Sequence, residues 1–159
     1  MAADTPGVIA PPLLIVLAAI VFGIVLDWLM PIGMIAGALP FWPRLVSGIA
    51  VAAAGAALAL AGVGVFRAVG TNVEPWKPSL RLATAGIYAR LRNPIYAGLL
   101  LLVLGIAVVL ASDWMLLMLV PTALLLHYGV VLREERYLEA KFGGDYRRYK
   151  DQVPRWGVF

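Results

Sequence analysis

Four long apolar runs constrain this chain more than any other feature of its sequence. A helix needs about 20 apolar residues to cross the roughly 30 Å hydrocarbon core of a bilayer. Each run approaches that length and is flanked by polar or turn-forming residues. The runs cover residues 13–30, 45–66, 95–111 and 114–132. They predict an all-α integral membrane protein with four transmembrane helices.

The composition supports the same fold class. Hydrophobic residues make up 62% of the 159 residues, and charged residues only 14%. A soluble domain carries roughly 25% charged residues because water must wet its surface. The deficit indicates that much of the exterior faces hydrocarbon. We expect residues 1–159 to form a single domain whose main partner is the lipid bilayer.

The positive residues predict an orientation. Only Arg44 lies between the first two runs, and the other twelve of the 13 Lys and Arg residues lie in 67–92 and 133–155. Positive loops stay on the cytosolic side of a membrane. The sequence therefore predicts cytosolic termini in a bacterial inner membrane. We expect the net charge of +4 to favour contact with anionic lipid headgroups rather than binding of nucleic acid.

Two hydrophilic segments remain on the predicted cytosolic side. Residues 67–93 contain several Gly and Pro residues, which favours a loop. Residues 133–159 form a cytosolic tail that begins as an amphipathic helix and should end near Gly143. The last two runs form a tight hairpin, with Pro94 at the start of one helix and a kink expected at Pro121 in the other. This hairpin would bring both segments together, so catalysis is expected there.

The sequence excludes several common catalytic sites. It contains no phosphate-binding P-loop, no G-x-G-x-x-G after a strand and no H-E-x-x-H motif. It has no Cys and a single His, so we predict no metal site.

Four short patterns occur in a fixed order. Tyr-x-x-x-Arg-x-Pro-x-Tyr starts at residue 88, Glu-Glu at 134, Phe-Gly-x-x-Tyr-x-x-Tyr at 142, and Val-Pro-Arg at 153. This ordered set resembles the isoprenylcysteine carboxyl methyltransferase family and its phospholipid methyltransferase relatives. The resemblance covers roughly residues 66–156, and the loop at 70–78 also looks like one in bacterial members.

The resemblance implies a pocket for S-adenosyl-L-methionine at the cytosolic ends of the last two helices, capped by the tail. The cofactor's cationic groups would suit carboxylates, its carboxylate would suit Arg92, and its adenine would suit aromatic walls. The residues assigned to it are Tyr88, Arg92, Asn93, Pro94, Tyr96, Glu134, Glu135, Tyr146 and Tyr149. The catalytic assignments are Arg92, Asn93 and Glu134. Family members usually carry His where this chain has Asn93, and an amide cannot act as a base near neutral pH.

His127 and Arg155 are assigned to substrate binding. His127 lies seven residues before Glu134, so both share one helix face, and it could accept a proton from the substrate. The alternative is a packed His bonded to a neighbouring helix. The alternative for Arg92 is a topological anchor, and the alternative for the two glutamates is a solvated first turn of the tail helix.

The resulting prediction is methyl transfer from S-adenosyl-L-methionine to a lipophilic acceptor, such as an isoprenylcysteine carboxylate, a phospholipid amine or a thiol. One alternative is a membrane sterol-type reductase that uses NADPH. Another is a non-enzymatic membrane scaffold that assembles through the Gly/Ala-rich second run. The oligomeric state is left open.

Overall fold

A computed structural model describes residues 4–157, and within them the protein is all-helical with no strand. Seven α-helices occur in this part of the chain, together with a 3₁₀ turn at Gly86–Ala89 and a π-helical turn at His127–Val131. The α-helices are α1 Pro12–Leu29, α2 Met34–Ala38, α3 Phe41–Val69, α4 Pro94–Leu110, α5 Asp113–Leu126, α6 Leu132–Phe142 and α7 Gly144–Gln152. The all-α fold class is therefore confirmed.

Three helical stretches are long and apolar enough to cross a bilayer. They are α1 with 18 residues, α3 with 29, and the 30-residue run Asp113–Phe142 that joins α5, the π-helical turn and α6. Helix α4 is equally apolar but has 17 residues. The three long helices fit an integral membrane protein. The count of four spans stays a prediction.

The observed helices differ from the predicted ranges mainly at their ends. Helix α3 covers 41–69 rather than 45–66, because Pro40 precedes it and Gly70, at φ 70°, ends it in the left-handed conformation. Helix α6 ends at Phe142, as predicted, since Gly143 has φ 56°. The short helix α2 and helix α7 were not predicted.

Helices α3 and α4 form an antiparallel pair with close backbones. Gly48, Gly55 and Gly62 of α3 lie at seven-residue spacing and face α4. Gly98 and Gly105 of α4 lie opposite them with the same spacing. A Cβ atom on Gly55 would lie 2.5 Å from the Leu102 nitrogen, so the small side chains are what permits this approach.

Helix α1 packs against α5, and the hairpin between α4 and α5 places α4 beside both. The shared core contains Val16 of α1, Val103 of α4 and Met115 of α5, all nearly inaccessible. The hairpin turns at Ala111, with φ 53°, and Ser112 caps α5 by accepting a hydrogen bond from the Met115 N–H at 3.1 Å. The predicted tight hairpin is confirmed.

Two aspartates fasten the end of the molecule where this hairpin turns. Asp113 accepts hydrogen bonds from the Met34 N–H at 2.7 Å and the Ile35 N–H at 3.0 Å. Asp27 of α1 accepts one from the Ser112 hydroxyl and one from the Trp114 N–H. These bonds tie α1, α2 and the hairpin together.

The π-helical turn interrupts the longest helical run between Leu126 and Leu132. Such a turn holds one residue more than a regular helical turn and changes the direction of the side chains that follow. The Gly129 carbonyl accepts a hydrogen bond from the Ile9 N–H at 3.1 Å, which holds the segment before α1 against the turn. Pro121 lies inside α5, and the kink expected there stays a prediction.

Candidate active site

A cavity of about 320 Å³ lies where the loop after α3, the start of α4 and helices α6 and α7 meet. Its wall combines apolar side chains from α1, α3 and α4 with polar groups from the loop, α6 and α7. Eight of the eleven residues assigned from the sequence line it: Tyr88, Arg92, Asn93, Tyr96, Glu134, Glu135, Tyr146 and Tyr149. Segments far apart in the chain thus contribute to one hollow.

Glu134 projects from the first turn of α6 and is hydrogen-bonded to α4. The Tyr96 hydroxyl donates to Glu134 Oε1 at 2.8 Å, and Tyr96 itself is buried. Among the residues described, no Lys, Arg or His lies within ion-pair distance of Glu134. Its carboxyl group therefore lines the cavity without a paired cation.

Glu135, the next residue, has a different environment because two arginines hold it. Arg155 donates from Nε to Oε1 at 2.9 Å and from Nη2 to Oε2 at 2.7 Å. Arg92 Nη1 lies 2.9 Å from Oε1, and both of these side chains are more than nine-tenths buried. Glu135 is thus the shared counter-ion of two guanidinium groups.

Asn93 links the start of α4 to the C-terminal segment. Its side-chain amide donates to the Arg155 carbonyl at 3.1 Å, and the Arg92 N–H donates to the Pro154 carbonyl at the same distance. These two bonds fasten residues 154–155 beside the cavity. The amide of Asn93 is therefore a structural donor in addition to being part of the wall.

An aromatic cluster closes the polar side of the cavity. Phe66 of α3 stacks on Tyr88 with centroids 5.0 Å apart and an interplanar angle of 13°. The Tyr149 hydroxyl donates to the Tyr88 carbonyl at 2.8 Å, and the ring of Tyr146 lies 6.0 Å from that of Tyr149. Burial raises the pKa of Tyr88, Tyr146 and Tyr149 well above the ordinary value, so these hydroxyls stay protonated at alkaline pH values that ionise an exposed tyrosine.

Three assigned residues do not line the cavity. Pro94 is buried at the first position of α4 and faces Gly62 of α3. His127 faces the C-terminal segment, where the Trp156 indole N–H donates weakly to its Nδ1 at 3.4 Å. Arg155 lies on the outer side of Glu135. The position of His127 is closer to the alternative considered above, a packed histidine bonded to a neighbouring helix. Its hydrogen-bond partner, however, lies in the C-terminal segment and not in a helix.

Several wall residues were not assigned from the sequence. Phe66 ends the second apolar run, and its position beside Arg67 at the run's cytosolic end was the available signal. Trp76 belongs to the loop that looked like one in bacterial methyltransferases. Pro6 and Pro12 carried no signal, because tertiary contacts set the positions of the start of α1 and of the segment before it. These four residues line the cavity along with Tyr137 and Leu138 of α6.

The apolar part of the wall reaches the exterior of the helical body. Leu13 of α1 is 58% exposed and Leu60 of α3 is 68% exposed, and both line the cavity. Val63 and Leu99 continue the apolar wall inward. The cavity therefore joins a lipid-compatible surface to the polar groups around Arg92 and Glu134.

The fold and the cavity define a helical membrane protein whose cavity, with buried charged groups in its wall, lies at one end of the apolar helices. Its sequence matches the profile of the phospholipid methyltransferase family over residues 43–145, and the chain belongs to that family. It is also 40% identical over 62 residues to an uncharacterized protein of Haemophilus influenzae, a match that covers 39% of this chain and 98% of that protein. No solved structure matches the chain significantly.

Membership in this family confirms the resemblance drawn from the ordered patterns, and it implies a methyltransferase with lipid-type substrates. The matched region contains the start of α4 and both glutamates of α6. It ends at Asp145, before Tyr146, Tyr149 and Arg155. The long apolar helices fit a methyltransferase of the membrane.

Proposed function

We propose that this protein transfers a methyl group from S-adenosyl-L-methionine to a lipophilic acceptor that reaches the cavity from the bilayer. The observation that carries the proposal is the cavity itself, whose apolar wall is continuous with the exposed surface of α1 and α3 and whose inner end holds Arg92 and Glu134. Such a hollow can receive an aliphatic chain and a polar cofactor at its two ends.

The residues present fit the cofactor. Ligand pockets of about 300–1,000 Å³ are usual, and this cavity of about 320 Å³ is within that range. Glu134 supplies an unneutralised carboxylate for a cation, and Arg92 supplies buried N–H donors for a carboxylate. Tyr88, Tyr146 and Phe66 supply aromatic surface for an adenine ring.

When bound, S-adenosyl-L-methionine supplies an electrophilic methyl group on a sulfonium. The role of the chain is then mainly to position the two reactants and to exclude water. Glu134 attracts the cationic end of the ligand, Arg92 fixes its carboxylate, and the apolar wall orients the acceptor. A carboxylate or thiolate acceptor needs no base, whereas a protonated amine would have to lose a proton, and Glu134 is the group placed to accept it.

We further propose that α4 crosses the membrane as the fourth span, with both termini in the cytosol of a bacterial cell. At 1.5 Å per residue its 17 residues extend about 26 Å, a few ångströms short of a typical core, and local thinning of the bilayer can accommodate that difference. The distribution of Lys and Arg supports this orientation. The cavity would then open at the cytosolic face.

Calorimetric titration of the detergent-purified protein with S-adenosyl-L-methionine tests the proposal. We expect saturable binding by the native chain, at least a tenfold loss in Glu134→Gln and in Arg92→Ala, and no change in the matched control Arg148→Ala, whose side chain pairs with Asp145 on the exposed face of α7. Titration with NADPH separates the reductase alternative. Binding of NADPH without S-adenosyl-L-methionine, or binding of neither, contradicts the proposal.

The acceptor is identified in a second experiment. Membrane lipid extract, incubated with the protein and a cofactor that carries a labelled methyl group, is analysed by mass spectrometry. We expect label in a lipid-soluble product from the native chain and none from Glu134→Gln. Label that appears solely in water-soluble products contradicts a lipophilic acceptor.

A further inference from the structure

Glu135 is held more completely than its cavity neighbour Glu134. The guanidinium fork of Arg155 occupies both of its oxygens, at 2.9 Å and 2.7 Å. A two-point contact of this kind fixes both the position and the orientation of a carboxylate. Arg92 approaches the same carboxylate from the cavity side and shares Oε1 with Arg155.

Arg92 is bound to Glu135 far less completely. Its Nη1 lies 2.9 Å from Glu135 Oε1, which is ion-pair distance, but the contact lacks hydrogen-bond geometry. Within residues 4–157 neither Nε nor Nη1 of Arg92 has a hydrogen-bond partner, although both atoms are buried. Unmade hydrogen bonds at a buried guanidinium are costly, and a ligand that accepts them recovers that cost.

The two observations are connected through Glu135. Because Arg155 already donates to both oxygens of Glu135, it competes with Arg92 for that carboxylate, and Arg92 is left with a contact at Oε1 alone. Two guanidinium groups share this one carboxylate. Arg92, which lines the cavity, therefore keeps N–H donors and positive charge for an anion bound there.

We propose that Arg155 is a positioning residue that keeps Arg92 available to the carboxylate of the bound cofactor by occupying Glu135 from outside the cavity. The proposal rests on the function proposed above. Arg155 does not line the cavity, so it acts through Glu135 rather than by touching the ligand. Without Arg155, Glu135 would attract Arg92 into a full two-point ion pair, and Arg92 would be withdrawn from the ligand.

The attachment of the C-terminal segment makes this testable. The Arg92 N–H and the Asn93 amide hold the carbonyls of Pro154 and Arg155, and neither bond needs the Arg155 side chain. Val153 is buried against the aromatic cluster and anchors the same segment. Arg155→Ala should therefore keep the segment in place while it frees Glu135.

The experiment compares S-adenosyl-L-methionine with decarboxylated S-adenosylmethionine, which lacks the carboxylate that Arg92 would bind. Affinities are measured calorimetrically for the native chain, Arg155→Ala, Arg155→Lys, Glu135→Gln, the double variant Arg155→Ala/Glu135→Gln and the control Arg148→Ala. We expect Arg155→Ala to weaken the first ligand about 10- to 100-fold, the range of a hydrogen bond to a charged group. The decarboxylated ligand should change by less than about twofold on the same scale.

The other variants sharpen the result. Lysine neutralises Glu135 but contacts one oxygen, so Arg155→Lys should retain part of the affinity. An amide at position 135 attracts Arg92 much less, so the double variant should bind more tightly than Arg155→Ala alone. A purely structural role of Arg155 would weaken both ligands and would not be rescued by the second substitution.

The outcomes separate the two proposals. If the native chain binds neither ligand, the proposed function fails and this inference fails with it. If the native chain binds S-adenosyl-L-methionine but Arg155→Ala weakens both ligands equally or neither, the role of Arg155 alone is overturned.

Discussion

The Tyr96 hydroxyl and the Glu134 carboxylate lie 2.8 Å apart although 38 residues separate them in the chain. Tyr96 belongs to the first turn of α4 and Glu134 to the first turn of α6, so this bond joins the two ends of the helical hairpin at the cavity. It also fixes which way the carboxylate faces, and Glu134 is the acidic group that we propose for the cofactor's cation.

Replacement of Tyr96 by phenylalanine removes this donor while it keeps the buried ring. We expect cofactor affinity to fall about tenfold, because a hydrogen bond to a charged group contributes about 1.5–3 kcal/mol and part of that is recovered by water. Calorimetry on the four chains of a double-mutant cycle with Glu134→Gln measures the coupling. Tyr128→Phe, on the exposed surface, is the control. Strictly additive effects of the two substitutions would contradict the pairing.

The pairing of α3 with α4 predicts a strong asymmetry between two glycines of one helix. A Cβ atom on Gly55 would meet backbone atoms of α4 at 2.5–2.9 Å, whereas one on Gly64 would meet nothing within 4 Å. We expect Gly55→Ala to lower the free energy of unfolding by about 1–3 kcal/mol, because the helices must separate. Gly64→Ala should be neutral or stabilising by up to about 1 kcal/mol.

Thermal unfolding in detergent or denaturant titration compares these two variants directly. Equal unfolding temperatures would mean that α3 and α4 do not approach each other in the manner described. The comparison is independent of ligand binding, so it tests the fold without reference to function.

The sequence predicted the long helices because lipid imposes a simple length and polarity rule on them. It also placed Glu134 and Glu135 at the same surface as Arg92, since a hairpin with a two-residue turn allows little else. Helix α7 was missed although Tyr146, Tyr149 and Val153 repeat with helical spacing, because its many charges obscured the pattern. That signal was available in the sequence.

Other features could not be predicted from sequence. The π-helical turn has no compositional signature, and the hydrogen bond that the Ile9 N–H donates to the Gly129 carbonyl within it is a tertiary contact. The different environments of the two glutamates could not be predicted either, since Glu134 and Glu135 are adjacent and chemically identical. It arises because Arg155, 20 residues further on, reaches one of them and not the other.

The buried tyrosines predict a loss of stability at alkaline pH. Burial raises the pKa of Tyr88, Tyr146 and Tyr149 in the folded chain, while the unfolded chain titrates near pH 10. Above about pH 10 the unfolded state therefore loses protons that the folded state retains. Its free energy falls relative to the folded state by up to about 1.4 kcal/mol per pH unit for each tyrosine. The stabilisation is fully present below pH 10 and is lost as the pH rises further.

Unfolding temperatures measured between pH 8 and pH 11 test this expectation. Tyr146→Phe should reduce the alkaline slope because it removes one titrating group, and Tyr128→Phe, which is 62% exposed, should not. A slope that is unchanged in Tyr146→Phe would mean that this hydroxyl is accessible to water in the folded protein.

Deletion of one residue from the π-helical turn should leave the cavity intact. If Tyr128 is removed, the turn can close as a regular α-helix. The rotation that the missing residue contributed is offset by the tighter winding of the α-helix, so α6 keeps its direction relative to α5 and Glu134 still faces Tyr96. Tyr128 is mostly exposed and its ring contacts the His127 ring, so the deletion removes little buried surface.

We expect the deletion variant to insert and fold in the membrane and to bind the cofactor within about threefold of the native chain, since Glu134 and Glu135 keep their positions. Tyr128→Ala, which removes the same side chain without shortening the chain, should also bind normally. A loss of about 100-fold in the deletion variant alone would show that the turn does not close as a regular α-helix and that α6 turns away from the cavity when the extra residue is removed.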